Sequence, residues 1–261
     1  MSDLWQVYAV KYANRNDRTR ADSFLDDDHP AAQHGMDYFV WVLINGARRI
    51  VVDTGYDATE ARRRGRPITR DPARALLALD VDPETVETVI ITHLHYDHAG
   101  GLSRYPKAQF HLQAVEMAFA TGPCMCDPTL QMPFTADHVC EMVRHVYSGR
   151  VVFHEGDAEV APGVTVHRIG GHSRGLQVVR VITAGGPLCL ASDASHYYEN
   201  FQTRKLFPIV VDQHVMLQGF DRIVELAGDA DRVIPGHDPM VCQRYPATGS
   251  SGFVWQLDAP L

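Results

Sequence analysis

Three histidines and one aspartate fall within six residues of the stretch Thr-His-Leu-His-Tyr-Asp-His-Ala-Gly-Gly at positions 92–101. The preceding run, Val-Ile-Ile at 89–91, is apolar and β-branched, as is typical of a buried strand. The two glycines that follow allow the backbone to turn sharply. The ligand-type side chains are therefore expected on a loop at the end of a buried strand. Neutral imidazole and carboxylate groups are ligands that Zn²⁺, Fe²⁺ and Mn²⁺ accept.

The conformation of this loop decides which side chains can share an ion. On an extended segment side chains alternate, so His93, His95 and Asp97 would face one way and His98 the other. A curled loop would instead offer His93 and His95 to one ion, and Asp97 and His98 to a second. The alternative is a histidine-rich surface loop that binds no metal. That alternative does not explain why so many ligand-type residues follow a buried strand.

Three later strand-like runs also end in a residue that can bind metal. His172 follows the run at 164–169 and two glycines, Asp193 follows the run at 188–191, and His237 follows the run at 232–234. A loop at the end of each strand carries the candidate ligand. We therefore expect four strand ends to converge on one place.

The motif His93-x-His95-x-Asp97-His98 with the following glycines, together with the three later ligands, resembles the signature of the metallo-β-lactamase superfamily. The resemblance covers about residues 40–237. It implies an α/β fold, a four-layer αββα sandwich, whereas the pattern alone predicts only a mixed α/β protein. We expect a single domain over residues 1–261, with a loop excursion near the site at 14–35 and a loosely ordered tail at 244–261.

The resemblance also implies a set of ligands for two divalent ions. Zinc is favoured, with iron, manganese and cobalt as alternatives. The first ion would be held by His93, His95 and His172, the second by Asp97, His98 and His237, and Asp193 would bridge the two. In this family a metal-bridging hydroxide attacks a carbonyl carbon, and Asp97 could carry a proton to the leaving alkoxide.

Asp53 matches a residue that supports the ligands in this superfamily. It ends the strand-like run at 49–52 and precedes Thr54 and Gly55. Its carboxylate would accept a hydrogen bond from a ligand histidine and so select the tautomer of that histidine. The alternative is an aspartate that begins a turn before Gly55.

The residue type at position 193 helps to distinguish the members of the superfamily. True β-lactamases commonly have a cysteine at the corresponding position, whereas this sequence has Asp193. Three Asp-containing relatives remain: glyoxalase-II-type thioesterases, tRNA-processing nucleases and N-acyl-homoserine-lactone lactonases. About 90 residues precede His93 and 24 follow His237, which disfavours the glyoxalase II arrangement with its C-terminal helical domain. We therefore predict a lactonase that opens N-acyl homoserine lactone or a related small lactone, and so acts in quorum quenching. The alternatives are a hydrolase of another ester or thioester, including a pyridoxolactone-like substrate, and a non-hydrolytic metal-binding protein.

The sequence departs from the lactonase pattern at two positions. The lactonases carry a tyrosine three residues after the bridging aspartate, where it can donate a hydrogen bond to the substrate carbonyl. Here that position is His196, followed by Tyr197 and Tyr198, and each of the three is a candidate for this catalytic contact. Gly175-Leu176 also stands where relatives often have Gly-His. Both departures affect the prediction of the substrate more than the prediction of the hydrolytic reaction.

Composition excludes several other classes of protein. The net charge of −8 and pI near 5.9 argue against a general nucleic-acid binder, and no apolar run reaches the roughly 18 residues of a membrane span. We see no signal-peptide pattern at the N-terminus. The five cysteines, an odd number, favour reduced thiols and a cytoplasmic location. The pair Cys124-x-Cys126 matches no zinc-finger spacing. We expect a small-molecule lactone or ester as the partner of a monomer or homodimer, with no nucleic acid and no membrane.

Overall fold

The computed structural model describes residues 3–259, and two β-sheets dominate this part of the chain. The strands are β1 (Gln6–Arg15), β2 (Met36–Asn45), β3 (Arg48–Val52), β4 (Thr88–Ile90), β5 (Gln109–Gln113), β6 (Val151–His154), β7 (Ala158–Ala161), β8 (Val164–Arg168), β9 (Gln177–Thr183), β10 (Gly186–Ser192), β11 (Val233–Pro235) and β12 (Val254–Gln256). The helices are α1 (Arg20–Ser23), α2 (Ala58–Arg64), α3 (Pro72–Ala75), α4 (Ala114–Ala120), α5 (Pro128–Gln131), α6 (Ala136–Tyr147), α7 (Tyr198–Thr203), α8 (Gln213–Ala227) and α9 (Val241–Arg244).

The first sheet has the strand order β12-β1-β2-β3-β4-β5-β6, and the second has the order β11-β10-β9-β8-β7. Strands β3 to β6 are parallel to one another, and β10 is parallel to β11. Parallel neighbours have their carboxyl ends at the same edge of the sheet. The loops that follow β3 and β4 therefore lie side by side, as do those that follow β10 and β11.

Both faces of the first sheet are buried, which is why β2 is a nearly continuous apolar run rather than an alternating one. Side chains on one face pack with the helices, and those on the other pack with the second sheet. On β2 the helix-facing residues are Tyr38, Val40 and Val42, and the sheet-facing residues are Phe39, Trp41 and Leu43. This packing produces the predicted four-layer αββα sandwich.

Helix α8 packs against the second sheet through Met216, Phe220 and Ile223, all buried. It begins at Asp212, whose side chain accepts a hydrogen bond from the backbone N–H of Val215. It ends at Gly228 in the left-handed conformation, with φ 74°.

The C-terminal segment differs from the expected loose tail. Residues Val254–Gln256 form β12, which pairs antiparallel with β1 in the register Tyr8↔Gln256 and Val10↔Val254. Without it, β1 would be an edge strand with unpaired backbone groups. A strand of three residues is too short to show a pattern in the sequence, and its partner is more than 240 residues away.

No helix in the described range 3–259 is both long enough and apolar enough to cross a bilayer. All five cysteines are free thiols. Cys124 and Cys126 belong to no cluster of possible metal ligands among the described residues.

Gly171 shows how closely a candidate ligand loop packs on α8. Its φ is +81°, and a Cβ there would lie 2.7 Å from Met216 Cα. We expect Gly171→Ala to lower the free energy of unfolding by about 2–4 kcal/mol, because left-handed backbone strain and overpacking add. Gly149→Ala is the matched control, since Gly149 has φ +70° and open space around it. Urea unfolding of both variants measures the packing contribution, and equal losses would show that only the backbone angle matters.

Candidate metal centre

The loop after β4 carries four of the candidate ligands, and it is curled. The backbone N–H groups of His98 and Ala99 both donate to the carbonyl oxygen of His95 at 3.1 Å. Of the two loop conformations considered from the sequence, the structure therefore shows the curled one. The curl allows Asp97 and His98 to approach a group of ligands different from that of His93 and His95.

The other three candidates reach the same place from the second sheet. His172 lies between β8 and β9, Asp193 directly follows β10, and His237 follows β11. All seven side chains are buried, although each is a type that is usually solvated. Buried polar groups of this kind need partners, so their concentration in one interior region points to a ligand.

The histidines and Asp97 form two groups, in each of which three ligand atoms lie within 4.8 Å of one another. The first group is His93, His95 and His172, and the second is Asp97, His98 and His237. Within the first, His172 Nε2 lies 2.9 Å from His95 Nδ1. Within the second, His237 Nε2 lies 3.8 Å from Asp97 Oδ2.

Asp193 lies between the two groups and turns one oxygen toward each. Its Oδ2 is 3.2 Å from His172 Nε2 and 3.8 Å from His93 Nε2. Its Oδ1 is 3.1 Å from His237 Nε2 and 3.3 Å from His98 Nε2. One carboxylate thus faces both groups.

Several buried atoms at this centre have no hydrogen-bond partner within residues 3–259: His93 Nε2, His98 Nε2, His237 Nε2 and Asp193 Oδ1. Leaving a buried polar atom unpaired costs about 1–3 kcal/mol. Imidazole nitrogens and a carboxylate oxygen are also the donor atoms of zinc, iron and manganese sites. The residues present therefore fit a pair of divalent cations.

The electrostatics agree with this assignment. Burial would raise the pKa of Asp193, but His237 and His98 hold it well below its usual value. Burial lowers the pKa of His93 and His95 well below the usual value, so both are neutral. Burial would also lower the pKa of His98, but Asp193 and Asp53 raise it well above its usual value. A bound cation would take the place of the proton on His98.

Asp53 orients His98, one of the candidate ligands, through its Nδ1 atom. Its Oδ2 lies 2.7 Å from His98 Nδ1, and its Oδ1 accepts a hydrogen bond from the backbone N–H of Thr92 at 2.7 Å. The φ of Asp53 is +61°, a strained conformation for a residue with a side chain. The contact selects the tautomer in which Nδ1 carries the proton and Nε2 is free for a metal.

Two more histidines are oriented by backbone carbonyls. His172 Nδ1 lies 2.6 Å from the carbonyl oxygen of Ile209, and His237 Nδ1 lies 2.8 Å from that of Asp37. Each of these carbonyls can accept only from a protonated Nδ1, which leaves Nε2 as the ligand atom. Sequence reasoning missed both contacts, because every residue has a backbone carbonyl and such a contact leaves no signal in the sequence.

Glu116 is a buried carboxylate that links two ligand loops, and sequence reasoning missed it as well. It accepts hydrogen bonds from the backbone N–H groups of Leu94 at 3.0 Å and Gly175 at 2.8 Å, and from the hydroxyl of Ser173. A Cβ at Gly175 would lie 2.4 Å from Glu116 Cβ, so only glycine allows this approach. The one signal in the sequence is an acidic residue inside the otherwise apolar helix α4.

Of the three candidates for the substrate carbonyl contact, only His196 faces the centre. Its Nε2 lies 2.9 Å from Asp193 Oδ2, and its ring stacks on Phe207 with centroids 3.6 Å apart. The Tyr197 hydroxyl lies 3.2 Å from Ser23 Oγ, and the Tyr198 ring packs against the Arg244 guanidinium. The structure does not bring these two tyrosines to the cavity, because the backbone is extended at Tyr197 and turns into α7 at Tyr198.

A cavity of about 390 Å³ opens onto the centre. The segment between β1 and β2 contributes Arg18, Ala21 and Asp22 to its wall, and the segment after α5 contributes Met132 and Pro133. Besides the centre itself, the lining residues are Arg18, Ala21, Asp22, Met36, Tyr38, Arg66, Tyr96, Met132, Pro133, His196, Pro208 and Ile209.

We expect Glu116→Gln to weaken metal binding by about 10-fold to 100-fold, because an amide cannot accept from all three donors that hold the two loops in place. Competition with a chromophoric chelator for Zn²⁺ measures the affinity. Glu141→Gln is the control, since Glu141 lies half-buried on α6 outside the centre. Unchanged affinity in Glu116→Gln, with only a lower unfolding temperature, would contradict a role in positioning the ligands.

Comparison with known proteins agrees with this geometry. A family model described as "Metallo-beta-lactamase superfamily" matches residues 36–237. N-acyl homoserine lactonases of a Bacillus species and of Bacillus cereus are each 29% identical, over 159 and 158 residues. These matches cover 60% of this chain but only 58% and 57% of the relatives. A probable metallo-hydrolase of Mycobacterium tuberculosis is 25% identical over 222 residues, which are 76% of this chain and 71% of that protein.

Solved structures share the fold. An N-acyl homoserine lactone hydrolase with N-hexanoyl-L-homoserine at its catalytic metal centre superposes with a TM-score of 0.76 at 21% identity, over 92% of this chain and 96% of that one. A dizinc quorum-quenching lactonase, AidC, superposes with a TM-score of 0.70 at 12% identity, over 98% and 95% of the two chains. The family model spans most of the sequence and all seven candidate ligands, and the chain belongs to the metallo-beta-lactamase superfamily.

Proposed function

We propose that this protein is a dinuclear metal-dependent hydrolase that opens a lactone ring, with N-acyl homoserine lactone or a related small lactone as substrate. The observation that carries the proposal is the position of Asp193, whose two oxygens face two separate groups of buried ligands. A single ion would need only one of these groups. The lactonase names of the relatives support the choice of a lactone.

Each of the two groups of buried side chains described above would hold one metal ion. The first ion would be held by His93, His95 and His172, the second by Asp97, His98 and His237, and both by Asp193. Two bound divalent ions, with zinc favoured, would lower the pKa of water from about 15.7 toward neutrality and so supply a hydroxide nucleophile.

Two residues of the chain would act on the substrate. Asp97 is the most exposed carboxylate of the centre and lines the cavity, so it would carry a proton to the leaving alkoxide. Burial lowers the pKa of His196 to about 3, so its imidazole is neutral. A neutral N–H at this position would donate a hydrogen bond to the substrate carbonyl oxygen as negative charge develops there.

We expect Asp97→Asn and His98→Ala to reduce turnover by at least about 100-fold while the fold is retained, because each removes a ligand and Asp97→Asn also removes the proton carrier. Proton release in a pH-stat, with the metal-reconstituted protein, measures turnover. His214→Ala is the control, as this histidine is exposed on α8. Full turnover in either variant would contradict the dinuclear mechanism.

His196→Phe separates a donor to the substrate from an additional metal ligand. His172, Asp193 and His196 also form a cluster that could hold a cation. Phenylalanine would keep the stacking on Phe207 but remove the N–H donor. We expect kcat to fall by about 10-fold to 1,000-fold while two metal ions per chain are retained in elemental analysis. Loss of metal would show that His196 is a ligand instead.

A substrate panel tests the proposed bond class directly. It contains short- and long-chain homoserine lactones, simple γ-lactones, an aromatic lactone and a glutathione thioester. Hydrolysis of lactones alone would support the proposal. Turnover confined to the thioester would favour a glyoxalase-II-like activity at the same centre and would contradict lactone opening.

A further inference from the structure

Two arginines line the cavity next to the metal centre, and neither forms an ion pair. Arg18 comes from the segment before α1, and Arg66 comes from the segment after α2. Within residues 3–259, no carboxylate lies within 4.0 Å of either guanidinium. Neighbouring arginines behave differently, since Arg20 pairs with Asp27 and Arg64 pairs with Glu60.

The contacts that these two arginines do make leave much of their hydrogen-bonding capacity free. Arg18 donates to the carbonyl oxygen of Asp22, at 3.5 Å to Ser23 Oγ, and to the Tyr197 hydroxyl, while its Nε is buried with no partner among the described residues. Arg66 donates to the Tyr96 hydroxyl, and its guanidinium lies 5.0 Å from the centre of that ring. Each guanidinium has five N–H donors.

The carboxylates in the cavity wall are already engaged elsewhere. Asp22 turns back to its own helix and accepts from the backbone N–H of Thr19 at 2.8 Å and from its hydroxyl at 3.1 Å. Asp97 and Asp193 belong to the metal centre. Each of these carboxylates therefore has another partner, and among the described residues none lies within 4.0 Å of either guanidinium.

Another part of the cavity wall is apolar. Met132, Pro133, Pro208 and Ile209 line it and continue into a smaller adjoining cavity of about 90 Å³. An apolar part of a substrate would fit there. A neutral substrate would leave the two guanidinium groups without a counter-charge in a partly desolvated space, which is unfavourable.

We propose that Arg18 and Arg66 form a subsite for an anionic oxygen group, and that the natural substrate carries a carboxylate or a similar anion beside the reacting ring. Guanidinium groups bind such groups with charge-assisted and often bidentate hydrogen bonds. The inference rests on the proposed function for the reacting bond, and it favours a related anionic lactone over the neutral N-acyl homoserine lactones as the natural substrate.

The test compares two lactones of similar size, of which one is anionic and one neutral: 5-oxotetrahydrofuran-2-carboxylate and its primary amide. The zinc-loaded wild-type protein is expected to show a kcat/KM for ring opening that is about 10-fold to 100-fold higher for the acid. Arg18→Gln and Arg66→Gln are each expected to bring this ratio toward one, mainly through a higher KM for the acid.

Two further variants serve as controls. Arg62→Gln removes one positive charge from α2 at an exposed position outside the cavity, so the ratio should stay at the wild-type value. Tyr96→Phe removes the hydroxyl that Arg66 contacts but keeps the arginine, so most of the preference should remain. Thermal unfolding checks that all variants are folded.

The outcomes separate this proposal from the proposed function. If the wild type opens both lactones equally well, the anion subsite is wrong and lactone opening stands. If Arg18→Gln and Arg66→Gln both keep the preference, the metal ions bind the anion and the subsite is again wrong. If no lactone is opened, the proposed function fails, and calorimetry with tetrahydrofuran-2-carboxylate and its amide decides the subsite. Weaker binding of the acid in the two variants would then support it, and equal binding would overturn it.

Discussion

The carboxylate of Asp193 lies in the protein interior with histidine nitrogens on both of its sides. A buried carboxylate is costly unless charge and hydrogen bonds compensate it. Here the compensation comes from imidazoles on the loops that follow β4, β8 and β11, so the position of one side chain depends on elements from both sheets. Within residues 3–259, the Nε2 atoms of His93, His98 and His237 still have no hydrogen-bond partner, which is the arrangement expected where cations complete the site.

Around this centre the chain holds the ligands in place through their other atoms. Asp53 holds His98, and the backbone carbonyls of Ile209 and Asp37 hold His172 and His237. Glu116 links the first ligand loop to the loop that carries His172. Positive φ angles at Asp53 and Ser192, each next to the centre in sequence or in space, show that backbone strain is tolerated where the ligands must converge.

In the proposed mechanism the choice of substrate depends on the cavity walls. A metal-bound hydroxide can attack many carbonyl compounds, so the centre alone would not select among them. His196 stands where the lactonases of the resemblance carry a tyrosine, and apolar residues and two arginines line the cavity. These wall residues are not part of the ligand motif by which the family is recognised. Family membership alone therefore does not identify the substrate.

Much of this could be predicted from the sequence. The dense motif at 93–98 and three later strand ends indicated all seven candidate ligands. Both the type of each ligand and the strand that precedes it can be recognised from a few neighbouring residues. The apolar runs likewise predicted five of the strands, β3, β4, β8, β10 and β11. In contrast, β12 and the role of Glu116 depend on contacts between distant segments and leave almost no local pattern.

The sequence by itself determined which kinds of side chain lie at the centre and their order along the chain. Only the tertiary structure decided that the first loop curls, that Asp193 faces both groups, and that His196 rather than Tyr197 or Tyr198 lines the cavity. It alone also showed that Arg18 and Arg66 line the same cavity as the centre and have no ion-pair partner among residues 3–259. The physical reason is that residue type sets what a group can bind, whereas direction and distance arise only when separate strands pack together.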